Sequence, residues 1–405
     1  MMNFKAQNWR FESVMPALGE RRGDELVIEK EFTAMARWQS EKVAIEPGKY
    51  YAFCVECAAE GVRSSVAPYA MLYFMDEGGR IFERAYAVNA DERGTLKKLS
   101  FRAQSGWTSL MVEVGLRGAG KARFGMPGLR ETEAPAPRRK LRVASTLLQS
   151  KPTCAETLRD MEAMVDRLMQ AEKPDLILFS EALYDHAAGL SYQESSETTD
   201  GVQCRAMSAK AKQYGVHILI DMHERDAQDR LYNTAVLFDR EGRIEAKYSK
   251  SHLTTGEYEE GLTPGDELPV FDTEFGRVGI LVCWDAYFPE PARVLGLKGA
   301  EVILIPTVGD PGFRHISRAK ENGVYVVGCG VKNETKHGVM PCRIISPSGK
   351  ILAQTEEYGA AAIAEIDLSD HDKVFWLSVP DAPSTPENIY RSERRPELYG
   401  LLTRF

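Results

Sequence analysis

The sequence predicts an α/β domain preceded by an all-β sandwich, and three observations carry that expectation. The chain has 405 residues, more than one hydrophobic core usually supports, so two domains are expected. Before a proline- and charge-rich stretch near residue 135, short runs alternate apolar and polar residues; after it, helical and strand patterns interleave.

The composition, 43% hydrophobic and 27% charged, is that of a folded globular protein rather than a disordered or collagenous one. The net charge of -8 comes from acids scattered along the chain with no concentrated Lys/Arg face, which argues against nucleic acid or an anionic membrane as partner. Met1–Pro16 has no apolar segment of the signal-peptide kind, and no window reaches the apolar length of a membrane span, so a cytoplasmic protein is expected. Seven cysteines, an odd and thinly spread set, do not suggest a disulfide framework.

In residues 1–133, turn signals at Glu46–Lys49, Asp76–Gly79 and Asp91–Gly94 separate the alternating runs. Leu110, Val112, Val114 and Leu116 face one way, opposite Met111, Glu113, Gly115 and Arg117, the pattern of a half-buried strand in an antiparallel β-sandwich. Trp9, Trp38, Trp107 and the Tyr50-Tyr51 pair either fill its core or cover a mouth or interface. Cys54 and Cys57 form a C-x-x-C, but an odd separation along a strand sends the two side chains to opposite faces, so they are packing residues rather than zinc ligands. These strands resemble jelly-roll carbohydrate-binding-like modules, which implies glycan as a partner of this domain; the Asp such modules place after the last aromatic residue is absent, Phe124 being followed by Gly125-Met126-Pro127.

A linker is expected at 134–139, within Glu131–Lys140, and a second domain at 140–405. Leu158, Met161, Val165 and Leu168 have helical spacing, and apolar runs follow at Leu176–Phe179, Ile218–Ile220, Ala235–Phe238, Val278–Val282, Val302–Ile305 and Val324–Val327. Three segments end in a reactive side chain: DLILFS before Glu181, GRIEAKYS before Lys250 and RVGILV before Cys283. In open α/β sheets the ligand crevice lies beyond the carboxyl ends of the strands, where such residues can converge. A thiol attacks an amide only as its proton leaves, which suits Glu181 as base. The oxyanion that forms needs a cation or fixed donors, for which Lys250 and the Trp284 backbone N–H are candidates. Lone cysteines ending apolar runs are more often core than catalyst; the three residues together reverse that reading.

At these residues the sequence resembles the nitrilase superfamily, whose signature is a Glu-Lys-Cys triad. The matching segments are LILFSE, NTAVLFDREGRIEAKYSKSHL and FGRVGILVCWDAYFPEPAR, followed by ILIPTVGD, RAKENGVYVV and the closing RRPELYGLL. The resemblance implies a four-layer α-β-β-α sandwich, a homodimer or higher homo-oligomer, and Glu181, Lys250 and Cys283 as the triad. It also implies a second glutamate between the Lys and the Cys; of Glu257, Glu259 and Glu260, Glu257 is the choice. Tyr184, Trp284, Tyr287 and Thr307 are the candidate substrate-binding residues. Cys283-Trp284-Asp285 favours an amide or N-carbamoyl substrate over a nitrile, which superfamily members with Cys-Trp-Glu usually take. His252 belongs to the strand-end architecture, no histidine spacing suggests a metal, and no GxxxxGK[ST] or GxGxxG suggests a nucleotide, so no cofactor is expected. The rival is a binding or scaffold protein that uses the sandwich for recognition.

Overall fold

A computed structural model describes residues 2–404 except 63–67, 91–94, 134–139, 185–188, 309–312, 331, 334–337, 340, 369–373, 375–384, 386–389 and 391–392. The expected turn at Asp91–Gly94, the linker and the last two residues of Ile303–Asp310 lie outside that set. The chain forms two compact units, Met1–Pro137 with Lys373–Phe405, and Arg138–Asp372.

The first unit contains an eight-stranded and a six-stranded antiparallel sheet. Strand Ser109–Leu116 turns Leu110, Val112, Val114 and Leu116 into a common core with Tyr51, Phe53, Val55 and Cys57 of strand Tyr50–Glu60 in the other sheet. The alternation places Cys57 in that core and leaves Cys54 exposed. Trp38, Trp107 and Tyr51 are core residues and Trp9 packs against them, so these aromatics fill the sandwich. Two expectations need correction. Ser109–Leu116 is buried on both faces: Glu113 is 1% exposed, and its carboxylate accepts from the Tyr69 and Tyr73 hydroxyls, Arg37 and Gln39 at 2.7, 2.8, 3.2 and 2.8 Å. A polar residue on the second face reads as solvent-facing in sequence, yet enough donors make its burial tolerable. The second domain was expected to run to residue 405, but the structure returns the final segment to the first unit. There Glu393 accepts from the Tyr86 hydroxyl at 3.3 Å and lies 3.9 Å from Arg117. Such long-range polar contacts have no periodicity to betray them.

In the second unit the strands of the two large sheets are β1 (Lys140–Thr146), β2 (Leu176–Leu178), β3 (His217–Arg225), β4 (Leu231–Phe238), β5 (Ile244–Ser249), β6 (Val270–Thr273), β7 (Gly276–Ile280), β8 (Val302–Ile305), β9 (Tyr325–Gly328), β10 (Cys342–Ile345), β11 (Ile351–Thr355) and β12 (Ala361–Asp367), and a separate short pair joins Lys332–Asn333 to Gly338–Val339. One sheet runs β5-β4-β3-β2-β1-β12 and the other β6-β7-β8-β9-β10-β11. The pairs β1-β2, β2-β3, β7-β8 and β8-β9 are parallel. The period of two sorts their side chains between layers. Leu176 and Leu178 join Val278, Ile280, Val302 and Leu304 in the core between the sheets. On the far side of the first sheet, Ile177 and Phe179 pack with Leu158, Met161 and Val165 of helix α1 (Cys154–Ala171) and Met207 of α3 (Val202–Tyr214). On the far side of the second, Ile303 and Ile305 pack with Leu295 of α5 (Pro289–Leu297) and Ala319 of α6 (Arg314–Asn322). These three cores separate four layers, α-β-β-α. Two short helices, α2 (Tyr192–Ser195) and α4 (Thr255–Glu259), lie in the connections near the strand ends. No helix among the described residues is long and apolar enough to cross a membrane.

Candidate active site

Each candidate residue follows the carboxyl end of a strand. After β2 the chain passes Phe179 and Ser180 to Glu181 and turns at Ala182, whose φ is +48° and whose N–H donates to Asp221 at 2.9 Å. Lys250 directly follows β5, its backbone bonded on both sides: N–H to Asn233 O and C=O from Gly265 N, each at 2.9 Å. Cys283 stands three residues after β7 with φ +42°, its N–H donating to Pro306 O at 3.0 Å. A non-glycine residue in the left-handed region costs about 1–3 kcal/mol and persists only where its surroundings hold it.

Asp285 supplies that hold. Fully buried, its carboxylate accepts from Val282 N (3.0 Å), Tyr248 Oη (2.8 Å), Ser251 Oγ (2.9 Å), His252 N (2.8 Å) and His252 Nδ1 (2.9 Å). One side chain thus ties the cysteine turn to the segment that follows Lys250. His252, stacked on Phe288 with centroids 4.5 Å apart, belongs to this joint.

At the centre, Lys250 is 1% exposed and its Nζ donates to Glu181 Oε1 and Glu257 Oε1, both at 2.8 Å. Asn233 Nδ2 bridges the same two oxygens at 3.0 and 2.9 Å, and Val308 N donates to Glu181 Oε2 at 3.2 Å. Burial pushes the ammonium down, but the charges of Glu181 and Glu257 override it and hold Lys250 above the ordinary lysine range. Burial likewise opposes ionisation of Glu257, and Lys250 outweighs it, keeping this carboxyl below its usual range. Cys283 is enclosed by protein yet keeps part of its surface open. Burial and then the Glu181 charge push its thiol far up, while Lys250 and a hydrogen bond with Thr307 pull the other way. A thiol raised in this way reacts only as its proton leaves.

Glu257, unlike the exposed Glu259 and Glu260, is buried, because Thr254 and Glu257 form the capping box of α4: Thr254 N reaches Glu257 Oε2 at 2.7 Å. Thr307 bonds the thiol of Cys283. Trp284 and Tyr287 pack with centroids 4.3 Å apart and planes tilted by 36°, and the Arg314 guanidinium lies 3.7 Å from the Tyr287 centroid. Tyr184 is elsewhere: its ring joins the core under α1 and α3 and its hydroxyl donates to Glu197 at 3.4 Å, which makes it a packing residue. Sequence reasoning missed Asn233, and it missed the joint formed by Asp285. Among the described residues no group of three or more His, Cys, Asp or Glu side chains is arranged to hold a metal.

A sequence model described as carbon-nitrogen hydrolase matches residues 142–374, so the closing RRPELYGLL lies beyond the match. An N-carbamoylputrescine amidase of Arabidopsis thaliana is 30% identical over 226 residues, 48% of this chain and 71% of that protein. The crystal structure of Saccharomyces cerevisiae Nit3, described as a member of branch 10 of the nitrilase superfamily, aligns with a TM-score of 0.51 at 25% identity, over 58% of this chain and 93% of that one. A Glu-to-Gln mutant of an amidase from Nesterenkonia sp., crystallised with the acetamide moiety of fluoroacetamide on its active-site cysteine, shares the fold. Its TM-score is 0.52 at 20% identity, covering 66% of this chain and 98% of that one.

Proposed function

Because the chain belongs to the carbon-nitrogen hydrolase family, we propose that it hydrolyses the C–N bond of a linear amide or N-carbamoyl compound through a thioester on Cys283 and releases ammonia. The observation that carries this reading is the buried cluster in which Lys250 bridges Glu181 and Glu257, with Cys283 electrostatically coupled to it. Glu181 takes the thiol proton as sulfur attacks the carbonyl carbon. The oxyanion that results is met by the Lys250 ammonium and the Trp284 backbone N–H, donors fixed before the reaction begins. Collapse of this intermediate breaks the C–N bond, with the Glu181 proton going to the departing nitrogen. A water molecule, deprotonated by Glu181, then attacks the thioester, and its proton returns to the thiolate. A carbamoyl substrate gives carbon dioxide as well.

Glu257 and Asn233 leave the reacting atoms alone and hold Lys250 and Glu181 in place. The Cys283-Trp284-Asp285 sequence and the relatives' amidase names support an amide over a nitrile. The test is an ammonia-release screen over amides, carbamoyl amines, carbamoyl amino acids and nitriles, run beside Cys283→Ala. Hydrolysis of an amide or carbamoyl compound by the wild type alone is expected; release by neither protein, or equally by both, overturns the reading.

A further inference from the structure

We propose that Tyr192 is a further residue of this active site, its hydroxyl oxygen accepting a hydrogen bond from the N–H of the substrate's scissile amide. The proposal rests on the amide-hydrolase reading above. It adds a residue that distinguishes an N–H-bearing substrate from its ester counterpart.

Tyr192 is placed by both of its neighbours in the fold. It is the first residue of α2, whose start is fixed by a capping box: Glu194 N donates to Ser191 Oγ at 3.3 Å and Ser191 N to Glu194 Oε2 at 2.9 Å. The Tyr192 backbone N–H donates to Glu260 Oε2 at 3.0 Å, and Glu260 is the residue that ends α4, the helix carrying Glu257. Its ring rests on His223, with centroids 3.9 Å apart and planes 37° from each other. His223 is held in turn by Ser195, Oγ to Nδ1 at 2.6 Å. In the β3-β4 ladder His223 stands directly opposite Asn233, so the two side chains leave the sheet on the same face. Asn233 is the amide that bridges Glu181 and Glu257. Tyr192, His223 and Asn233 therefore follow one another on one face of the sheet, and Asn233 ends that row on Glu181 and Glu257.

The electrostatics agree with this placement. Burial first, then the charges of Glu257 and Glu181, push the phenol well above its ordinary range, with Lys250 pulling the other way. The hydroxyl keeps its proton. In the field of Glu257 and Glu181 that proton is favoured on the side facing them, and the oxygen lone pairs are left to accept from a donor. An amide or carbamoyl nitrogen that carries hydrogen is such a donor; an ester oxygen is not.

Bromoacetamide and methyl bromoacetate test this without knowledge of the natural substrate. Both present a bromomethyl carbonyl to Cys283, and they differ in carrying NH2 or OCH3. Tyr192→Phe keeps the ring, its contact with His223 and the backbone bond to Glu260. The expected result is about a tenfold loss of the Cys283 alkylation rate by subsaturating bromoacetamide, with the methyl bromoacetate rate held within about twofold. Equal losses with both reagents, or no change with either, would overturn the proposal. Exposed Cys54 is labelled in either case; wild-type labelling that leaves Cys283 unmodified would overturn the hydrolase reading, and this proposal with it.

Discussion

Asn233→Asp puts a third carboxyl where two already share one cation. The amide nitrogen of Asn233 lies 3.0 Å from Glu181 Oε1 and 2.9 Å from Glu257 Oε1, so an ionised aspartate there would stand about as close. At an effective dielectric of about 20, unit charges about 3 Å apart repel by about 5.5 kcal/mol, and there are two such pairs. Keeping one carboxyl protonated at pH 7, against an unfolded pKa of about 3.9, costs about 4 kcal/mol. Protonation is the cheaper outcome and sets a ceiling on the damage. The folded-state pKa of the new group is thus raised, so its penalty is absent below about pH 4 and grows by about 1.4 kcal/mol per pH unit above it. Urea unfolding of both proteins from pH 4.5 to 7 should show a stability gap that widens with pH, and amide hydrolysis by the variant should fall more steeply than stability. A constant gap across that range would refute the assignment of Asn233 to the charged cluster.

Cys283→Ala should abolish turnover with the far-ultraviolet circular dichroism unchanged, and Glu181→Gln and Lys250→Met should each cost nearly as much, because residues acting as a unit fail together; a variant retaining more than about a tenth of the wild-type rate would lose the role given to it. Exhaustive chelation should leave hydrolysis unchanged, with loss and metal-dependent recovery as the contrary result. His217, buried between Glu245 and Glu274 at 3.1 Å from each, is pushed down by burial and more strongly up by these partners. Its raised pKa means stability that is fully present below the unfolded value of about 6.5 and lost as pH rises through the folded one. His217→Gln should therefore cost more stability at pH 6 than at pH 9, measured by urea titration at both.

What was legible in the sequence follows from where the information sits. Glu181, Lys250 and Cys283 each stand just after a run whose patterning marks it as a strand, so position and chemistry could be read from contiguous residues. Glu257 was chosen by resemblance, although Thr254-x-x-Glu257 is itself a capping box that marks the start of a helix. Asn233 gave no such signal: it lies inside a strand between Tyr232 and Thr234, and its partners are 52 and 24 residues away. Strand β1 was missed because Arg142 and Ser145 interrupt its apolar pattern, and β11 because Ile351–Thr355 is partly exposed at a sheet edge. The four-layer plan came from resemblance, since periodicity gives the faces of a strand but not the partner that covers each one.

The first unit joins Met1–Pro137 to Lys373–Phe405 from the other side of the second unit along the chain. During synthesis at about 5–20 residues per second, the sandwich strands have left the ribosome well before the segment that finishes them, and the intervening 138–372 can fold in the meantime on its own cores. The late segment brings Glu393 to Tyr86 and Arg117, so the sandwich waits for residues made after the whole of 138–372. A nick or a deletion within 393–404 consequently strikes the sandwich of the first 137 residues before it reaches the hydrolase fold that lies between them in the sequence.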